Sequence, residues 1–159
     1  MKTRISKQNY YLNIAEAVAG RSTCLKRQYG AIIVKNDVII STGYNGAPRG
    51  IADCVELGEC NRQNAARGTD YSNCKAVHAE MNAIIAVDRD KMLGSTMYLV
   101  GKQNETEADY VSDPKSCTLC RRLIINAGIK NVIVRLTKDT YEEYDVQDWV
   151  DNEDILGGY

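Results

Sequence analysis

Long apolar runs, excess charge of either sign and histidine are what this sequence has least of. No segment approaches the roughly 18 apolar residues of a membrane span, and the start Met-Lys-Thr-Arg-Ile-Ser-Lys-Gln-Asn-Tyr lacks the apolar core of a secretory signal. A membrane protein is not expected, and a cytoplasmic location is. Twenty basic residues against 21 acidic ones give a formal charge of −1, which offers no overall attraction to DNA or RNA, although a local basic pocket can still hold one phosphate. Nucleic acid and membrane are therefore not expected partners, and small molecules are. There is no internal repeat and no low-complexity segment. The single histidine, His78, gives any chemistry that needs imidazole one address.

What is present suits one compact domain over residues 1–159, with an acidic tail from about 137: 159 residues, 44% of them apolar, can bury a sizeable core. The six cysteines fit metal ligands or reduced thiols better than disulfides in a reducing compartment. They fall into two groups. Cys24, Cys54, Cys60 and Cys74 precede the histidine, and Cys117 and Cys120 form a C-x-x-C.

Tyr11, Ile14, Ala15 and Val18 recur at helical spacing within 8–20, with Gly20 as a stop. Residues 29–35 and 38–44 are β-rich and flank Asn36-Asp37, which predicts a hairpin. The stretch 45–73 is polar and glycine-rich without lasting periodicity; so long a loop is usually functional or cross-linked. A central helix is predicted from about Val77 to Asp88, with Val77, Met81, Ile84 and Ile85 on one face, then a strand over 95–100 and a second polar loop over 101–116. The C-x-x-C opens a helix with Leu119, Leu123 and Ala127 on one face, stopped by Gly128, and 131–135 is a fourth strand. The tail after Leu136 carries Tyr141, Tyr144 and Trp149 and yields no assignment; it could cover the sheet or pack on another subunit. Strands alternating with helices predict an α/β sandwich with a mixed central sheet.

His78 and Glu80 stand in the first turn of the central helix, where unpaired N–H groups favour electron-rich ligands. One neutral imidazole with the Cys117 and Cys120 thiolates makes three tetrahedral zinc ligands, and a catalytic zinc keeps its fourth position for water. Glu80 is then free to move protons. Two other classes fit parts of the pattern. A redox protein would use a metal-free C-x-x-C, and a structural zinc module would close the fourth position with protein, for which no ligand is evident near Cys120.

Zinc deaminases of nucleobases carry H-x-E followed by P-C-x-x-C. His78-Ala79-Glu80 and Cys117-Thr118-Leu119-Cys120 resemble that superfamily, which implies His78, Cys117 and Cys120 as ligands and Glu80 as the proton shuttle. Arg21-Ser22-Thr23-Cys24, Gly43 to Gly50, His78 to Ile84 and Leu123 to Ile129 look like dCMP deaminase sequence in particular, over roughly residues 8 to 135. One departure is that Ser116, not proline, precedes the first cysteine, with Pro114 two places earlier.

The resemblance implies a three-layer α/β/α sandwich with a central mixed β-sheet. It also implies hydrolysis of dCMP to dUMP and ammonia, dUMP being what thymidylate synthesis uses. It further implies a homo-oligomer (hexamer or dimer), dCTP and dTTP as effectors, and substrate or effector contacts at Tyr44, Asn45, Gly46, Arg49 and Ala79. Some members carry a second, structural zinc near positions matching Cys24, Cys54, Cys60 and Cys74, which here would staple the long loop. Another cytosine nucleotide or nucleoside is an alternative substrate. A tRNA adenosine deaminase shares the zinc motif but usually needs a basic surface, which this charge balance does not suggest.

Overall fold

A computed structural model of the chain describes residues 1–66, 69–104 and 109–153. Helix α1 (Lys7–Ala19) starts at Ser6, whose side chain accepts from the Asn9 N–H. Strands β1 (Arg27–Lys35) and β2 (Val38–Tyr44) pair antiparallel across Asn36-Asp37. Both turn residues have positive φ, 49° and 67°, the left-handed conformation that a two-residue hairpin demands and that Asn and Asp tolerate. The turn is also tied to α1: Lys7 pairs with the Asp37 carboxylate at 2.9 Å, and the Tyr11 hydroxyl donates to the Asp37 carbonyl at 3.0 Å.

Among its described residues the long loop holds one short helix, α2 (Cys54–Leu57), with a capping box between Asp53 and Glu56, and a 3-10 turn over Tyr71–Asn73. Then come α3 (Ala79–Ile85), the short α4 (Arg89–Met92), β3 (Thr96–Gln103), α5 (Thr118–Ala127) and β4 (Asn131–Arg135). The sheet order is β2-β1-β3-β4 with a fifth strand, β5 (Tyr141–Asp145), at the edge; β3 and β4 are parallel and the other neighbours antiparallel. The sheet is mixed, as expected.

Strand residues alternate between two cores because successive side chains point to opposite faces. Ile32, Val34, Tyr98, Val100 and Ile133 pack against Tyr11, Leu12 and Ala15 of α1. Ala31, Ile33, Met97, Leu99, Val132 and Val134 pack against α3 and α5. The layers are thus helix, sheet and helices. Each fully buried aliphatic side chain here is worth about 1.5–3 kcal/mol.

Two expectations, the buried faces of α3 and α5, need correction. The acidic tail, which yielded no assignment, supplies β5 and then α6 (Val146–Asp151), started by Asp145, which accepts from the Gln147 N–H. Trp149 is buried against the α5 side of the core. The buried face of α3 is Ala79, Glu80 and Ala83, while Ile85 is 69% exposed. Small residues line that face because Gly43 of β2 passes directly beneath it. On α5 the buried face is Thr118, Cys120, Ile124 and Ala127, with Leu123 turned out.

Candidate active site

Two helix starts converge to make the site. His78 is the residue before the first turn of α3, and Cys117 occupies the same position on α5, where its Sγ accepts from the Cys120 N–H at 3.5 Å. Gly46 and Val77 exchange main-chain hydrogen bonds (3.1 and 2.7 Å), which fixes the chain entering α3. Asn82 Nδ2 donates to the Tyr44 carbonyl at 2.8 Å and the Ser41 hydroxyl donates to the Ala83 carbonyl, so α3 is bonded to β2 along its length.

His78 Nδ1 stands 3.5 Å from Cys117 Sγ and 3.3 Å from Cys120 Sγ. Among the described residues this is the one group of three or more such side chains whose donor atoms lie within 4.8 Å of one another. The spacing suits zinc. Bonds of about 2.3 Å to sulfur and 2.0–2.1 Å to nitrogen at a tetrahedral angle separate the two ligand atoms by about 3.5 Å.

The electrostatics agree. The thiol of Cys120 and the imidazole, both hydrogen-bonded to Cys117, pull its thiol down to about 4 against the opposing effect of burial. Cys120 is pushed up, chiefly because it donates to Cys117 and then because it is buried. The two cysteines are thus pushed in opposite directions, and a cation bound here would displace thiol protons, as metal binding at cysteine does. His78 is raised by its hydrogen bond to Cys117, which outweighs its burial.

Glu80 lies two residues into α3 and is 5% exposed. Burial pushes its carboxyl above the ordinary range; the His78 ring, its own N–H and the Ser116 hydroxyl pull the other way. A buried carboxyl poised to hold or release a proton beside three metal-ligating atoms is what general acid–base chemistry needs.

The trio and Glu80 open into a cavity of about 790 Å³. Of the other expected contacts, Asn45 and Ala79 line it. Asn45 is buried, its Oδ1 accepting from the Tyr29 N–H at 2.8 Å and its Nδ2 donating to the Arg27 carbonyl at 3.0 Å. Tyr44, Gly46 and Arg49 are not in the wall, and Arg49 is exposed. Instead the cavity's cations are Lys26, Arg27, Arg62, Lys115 and Arg121. Arg121 is held in place: its Nε donates to the Ser116 carbonyl at 3.0 Å and its guanidinium sits 5.4 Å from the Trp149 ring centroid. Arg62 stacks on Tyr71 at 4.0 Å. Sequence reasoning missed all five, since nothing local distinguishes them from solvated charges.

All six cysteines are unpaired thiols. Cys24, Cys60 and Cys74 line the same cavity. Cys54 lies near all three, and its thiol is pushed up first by burial and then by their proximity. No three of these four bring their sulfurs within 4.8 Å of one another.

A mixed sheet that presents, at two adjoining helix starts, a His-Cys-Cys trio and a buried glutamate defines a zinc-dependent hydrolytic enzyme of the nucleobase deaminase type. The family model for the cytidine and deoxycytidylate deaminase zinc-binding region matches residues 5–136, and the chain belongs to that family. The deoxycytidylate deaminase of Mycobacterium phage D29 is 38% identical over 131 residues, which cover 78% of this chain and 90% of that protein. That of Schizosaccharomyces pombe is 35% identical over 132 residues, 82% of this chain but only 37% of its own length. The dCMP deaminase of cyanophage S-TIM5, solved in complex with dCMP and dUMP, shares the fold with a TM-score of 0.61 at 24% identity, covering 99% of this chain and 96% of that one.

Proposed function

We propose that the chain hydrolyses dCMP to dUMP and ammonia. The observation that carries this reading is the buried Glu80 carboxyl beside the His78, Cys117 and Cys120 atoms in one cavity. His78 Nδ1 and the two cysteine sulfurs would hold the metal. A zinc ion there supplies a Lewis acid that lowers the pKa of water toward 7. Glu80 takes a proton from the attacking water, gives it to the ring nitrogen beside the amine-bearing carbon, and moves a second, from the newly added hydroxyl, to the departing amine. The new carbon–oxygen bond replaces the carbon–nitrogen bond, and ammonia leaves.

The cations in the wall support a 5′-monophosphate as substrate. Arg121 is the best placed, since its bonds to Ser116 and Trp149 leave little side-chain entropy to lose. It replaces the exposed Arg49 in this role. Asn45, pinned by β1, and Ala79 are the remaining candidates for contact with the nucleoside. A panel of cytosine nucleosides and nucleotides tests the reading. dCMP is expected to be the best substrate, and deoxycytidine turned over as efficiently would refute the phosphate contact.

The finer expectations belong to the same proposal. A homo-oligomer fits the exposed apolar side chains Ile51, Val55, Leu57 and Ile85. Activation by dCTP and inhibition by dTTP are checked in the same panel. Six unpaired thiols fit a cytoplasmic location; no helix among the described residues is long and apolar enough to cross a membrane. A structural zinc on Cys24, Cys54, Cys60 and Cys74 is supported by their grouping around Cys54 and would require the loop to draw in. Two zinc ions per chain, falling to one in Cys24→Ser, are expected. One zinc in the fully loaded wild type, with unchanged thermal stability in that variant, excludes it.

A further inference from the structure

The family model stops at residue 136, yet the chain beyond it comes back to the active-site cavity. Glu153, two residues past the end of α6, stands in the cavity wall, and Trp149 lies against Arg121, another wall residue. The Arg121 guanidinium sits over the indole, 5.4 Å from the ring centroid, while its Nε donates to the Ser116 carbonyl at 3.0 Å. That separation is within the roughly 6 Å over which an aromatic face attracts a cation.

The indole is itself fixed. Trp149 is 4% exposed and shares the core with Ile124 and Ala127 of α5. Val146, three residues earlier on the same face of α6, is buried as well, and its N–H donates to the Lys130 carbonyl at 2.9 Å. The Tyr144 ring of β5 lies 6.2 Å from the indole. Strand β5 and helix α6 thus hold the ring from both sides of their junction.

We propose that Trp149 is a positioning residue for the substrate's 5′-phosphate, acting through Arg121: the indole keeps the guanidinium in the cavity wall, so the tail from 137 is part of the substrate site. An unconfined arginine has many rotamers to lose when it binds a phosphate, whereas one already held by a ring and a hydrogen bond loses few. Because the arrangement exists before substrate arrives, it serves the ground state and the transition state alike. Its loss therefore shows in KM and not in kcat.

The inference rests on the reading of Arg121 as the phosphate contact. The test compares dCMP with deoxycytidine, which lacks the phosphate, in zinc-loaded wild type, Trp149→Leu, Trp149→Phe, Arg121→Ala and the Trp149→Leu, Arg121→Ala double variant. Leucine keeps an apolar side chain in the core and removes the aromatic face; phenylalanine keeps the face. In Trp149→Leu, KM for dCMP is expected to rise about fivefold with kcat within about twofold, and kcat/KM for deoxycytidine should stay within about twofold. Trp149→Phe should hold KM within about twofold of wild type. Arg121→Ala should raise KM about tenfold or more, and adding Trp149→Leu to it should raise KM no further, because residues that act as a unit are not additive.

A wild-type KM for dCMP in folded, zinc-loaded Trp149→Leu overturns the proposal. So does an equal loss with dCMP and deoxycytidine, a phenylalanine variant as weak as leucine, or a further rise in KM in the double variant. If the leucine variant does not fold, Trp149→Met removes the ring, with the same expectation and the same refuting results. A wild-type KM for dCMP in Arg121→Ala refutes instead the reading of Arg121; a raised KM there beside an unaffected Trp149→Leu removes only Trp149.

Discussion

Gly43 is the point where the strand–helix packing and the site depend on one missing methyl group. It lies in β2 without a positive φ, so its value is space and not backbone freedom. A Cβ built there would sit 2.4 Å from the Ala79 carbonyl oxygen and 2.4 Å from the Ala83 main-chain nitrogen, both in α3. Ordinary contact begins near 3.4 Å, and backbone cannot swing aside as a side-chain tip can. Gly43→Ala therefore has to move α3 by about 1 Å. Overpacking typically costs 1–3 kcal/mol, and a clash with main chain at both ends of a turn belongs at the upper end, about 3 kcal/mol. At 2–4 °C per kcal/mol for a chain of this size, the melting temperature should fall by about 6–12 °C.

Because α3 carries Glu80 and follows directly from His78, the same shift separates the proton carrier from the metal site. A 1 Å displacement of reacting groups can cost about 10²-fold in rate. Thermal melts and kcat for dCMP in the zinc-loaded variant check both numbers. Gly50→Ala is the control: Gly50 has φ +86° and nothing within 4 Å of the added Cβ. It should lose about 1–2 kcal/mol to backbone strain and leave kcat unchanged. A Gly43→Ala protein with wild-type melting and turnover would refute the packing argument.

Two further outcomes follow from contacts away from the site. Asp37 is held below its ordinary 3.8, first by Lys7 and then by the Tyr11 hydroxyl. A lowered carboxyl stabilises the fold above its unfolded value and loses that contribution as pH falls through the folded one. Asp37→Asn should thus melt lower than wild type at neutral pH, with the gap closing below about pH 3.8; a gap independent of pH would contradict this. Arg135 is fully buried and its Nη1 lies 3.6 Å from Glu16 Oε1, while Nη2 donates to Asn9. Glu16→Ala strands that cation. Breaking a buried pair costs about 3–5 kcal/mol, and Glu16 is 30% exposed, so about 2 kcal/mol is expected in a denaturant melt. A loss under 0.5 kcal/mol would contradict the pairing.

The features legible in the sequence were those written in local chemistry. Asn36-Asp37 is a hairpin turn because its residues accept positive φ, Gly128 ends α5 in the left-handed conformation, and the H-x-E and C-x-x-C spacings both open helices. Features set by the partner surface were not. The inward face of α3 centres on Ala79, Glu80 and Ala83 and that of α5 on Thr118, Cys120, Ile124 and Ala127, because Gly43 and the site lie against them; Met81 and Ile84 still pack on the core, but Ile85 and Leu123, expected inside, are exposed. The strand Tyr141–Asp145 hides in an acidic stretch because it is an edge: Tyr141 and Tyr144 turn partly inward while Glu142 and Glu143 meet water. Arg27, Arg62 and Arg121 come from three distant parts of the chain, and only folding shows that they face one cavity. Ser116 was visible as a departure from the motif, but its buried, unpartnered hydroxyl was not.

The central claim is that Glu80 moves the protons of a hydrolytic deamination supported by zinc on His78, Cys117 and Cys120. The most direct measurement is dUMP and ammonia release from dCMP by zinc-loaded wild type and Glu80→Gln, with zinc counted in both. The amide keeps the shape of the side chain and removes the proton carrier. The account predicts equal zinc content, one ammonia per dUMP in the wild type, and a fall of about 10²–10⁴-fold in kcat for the variant. Near-normal turnover by zinc-loaded Glu80→Gln would contradict it.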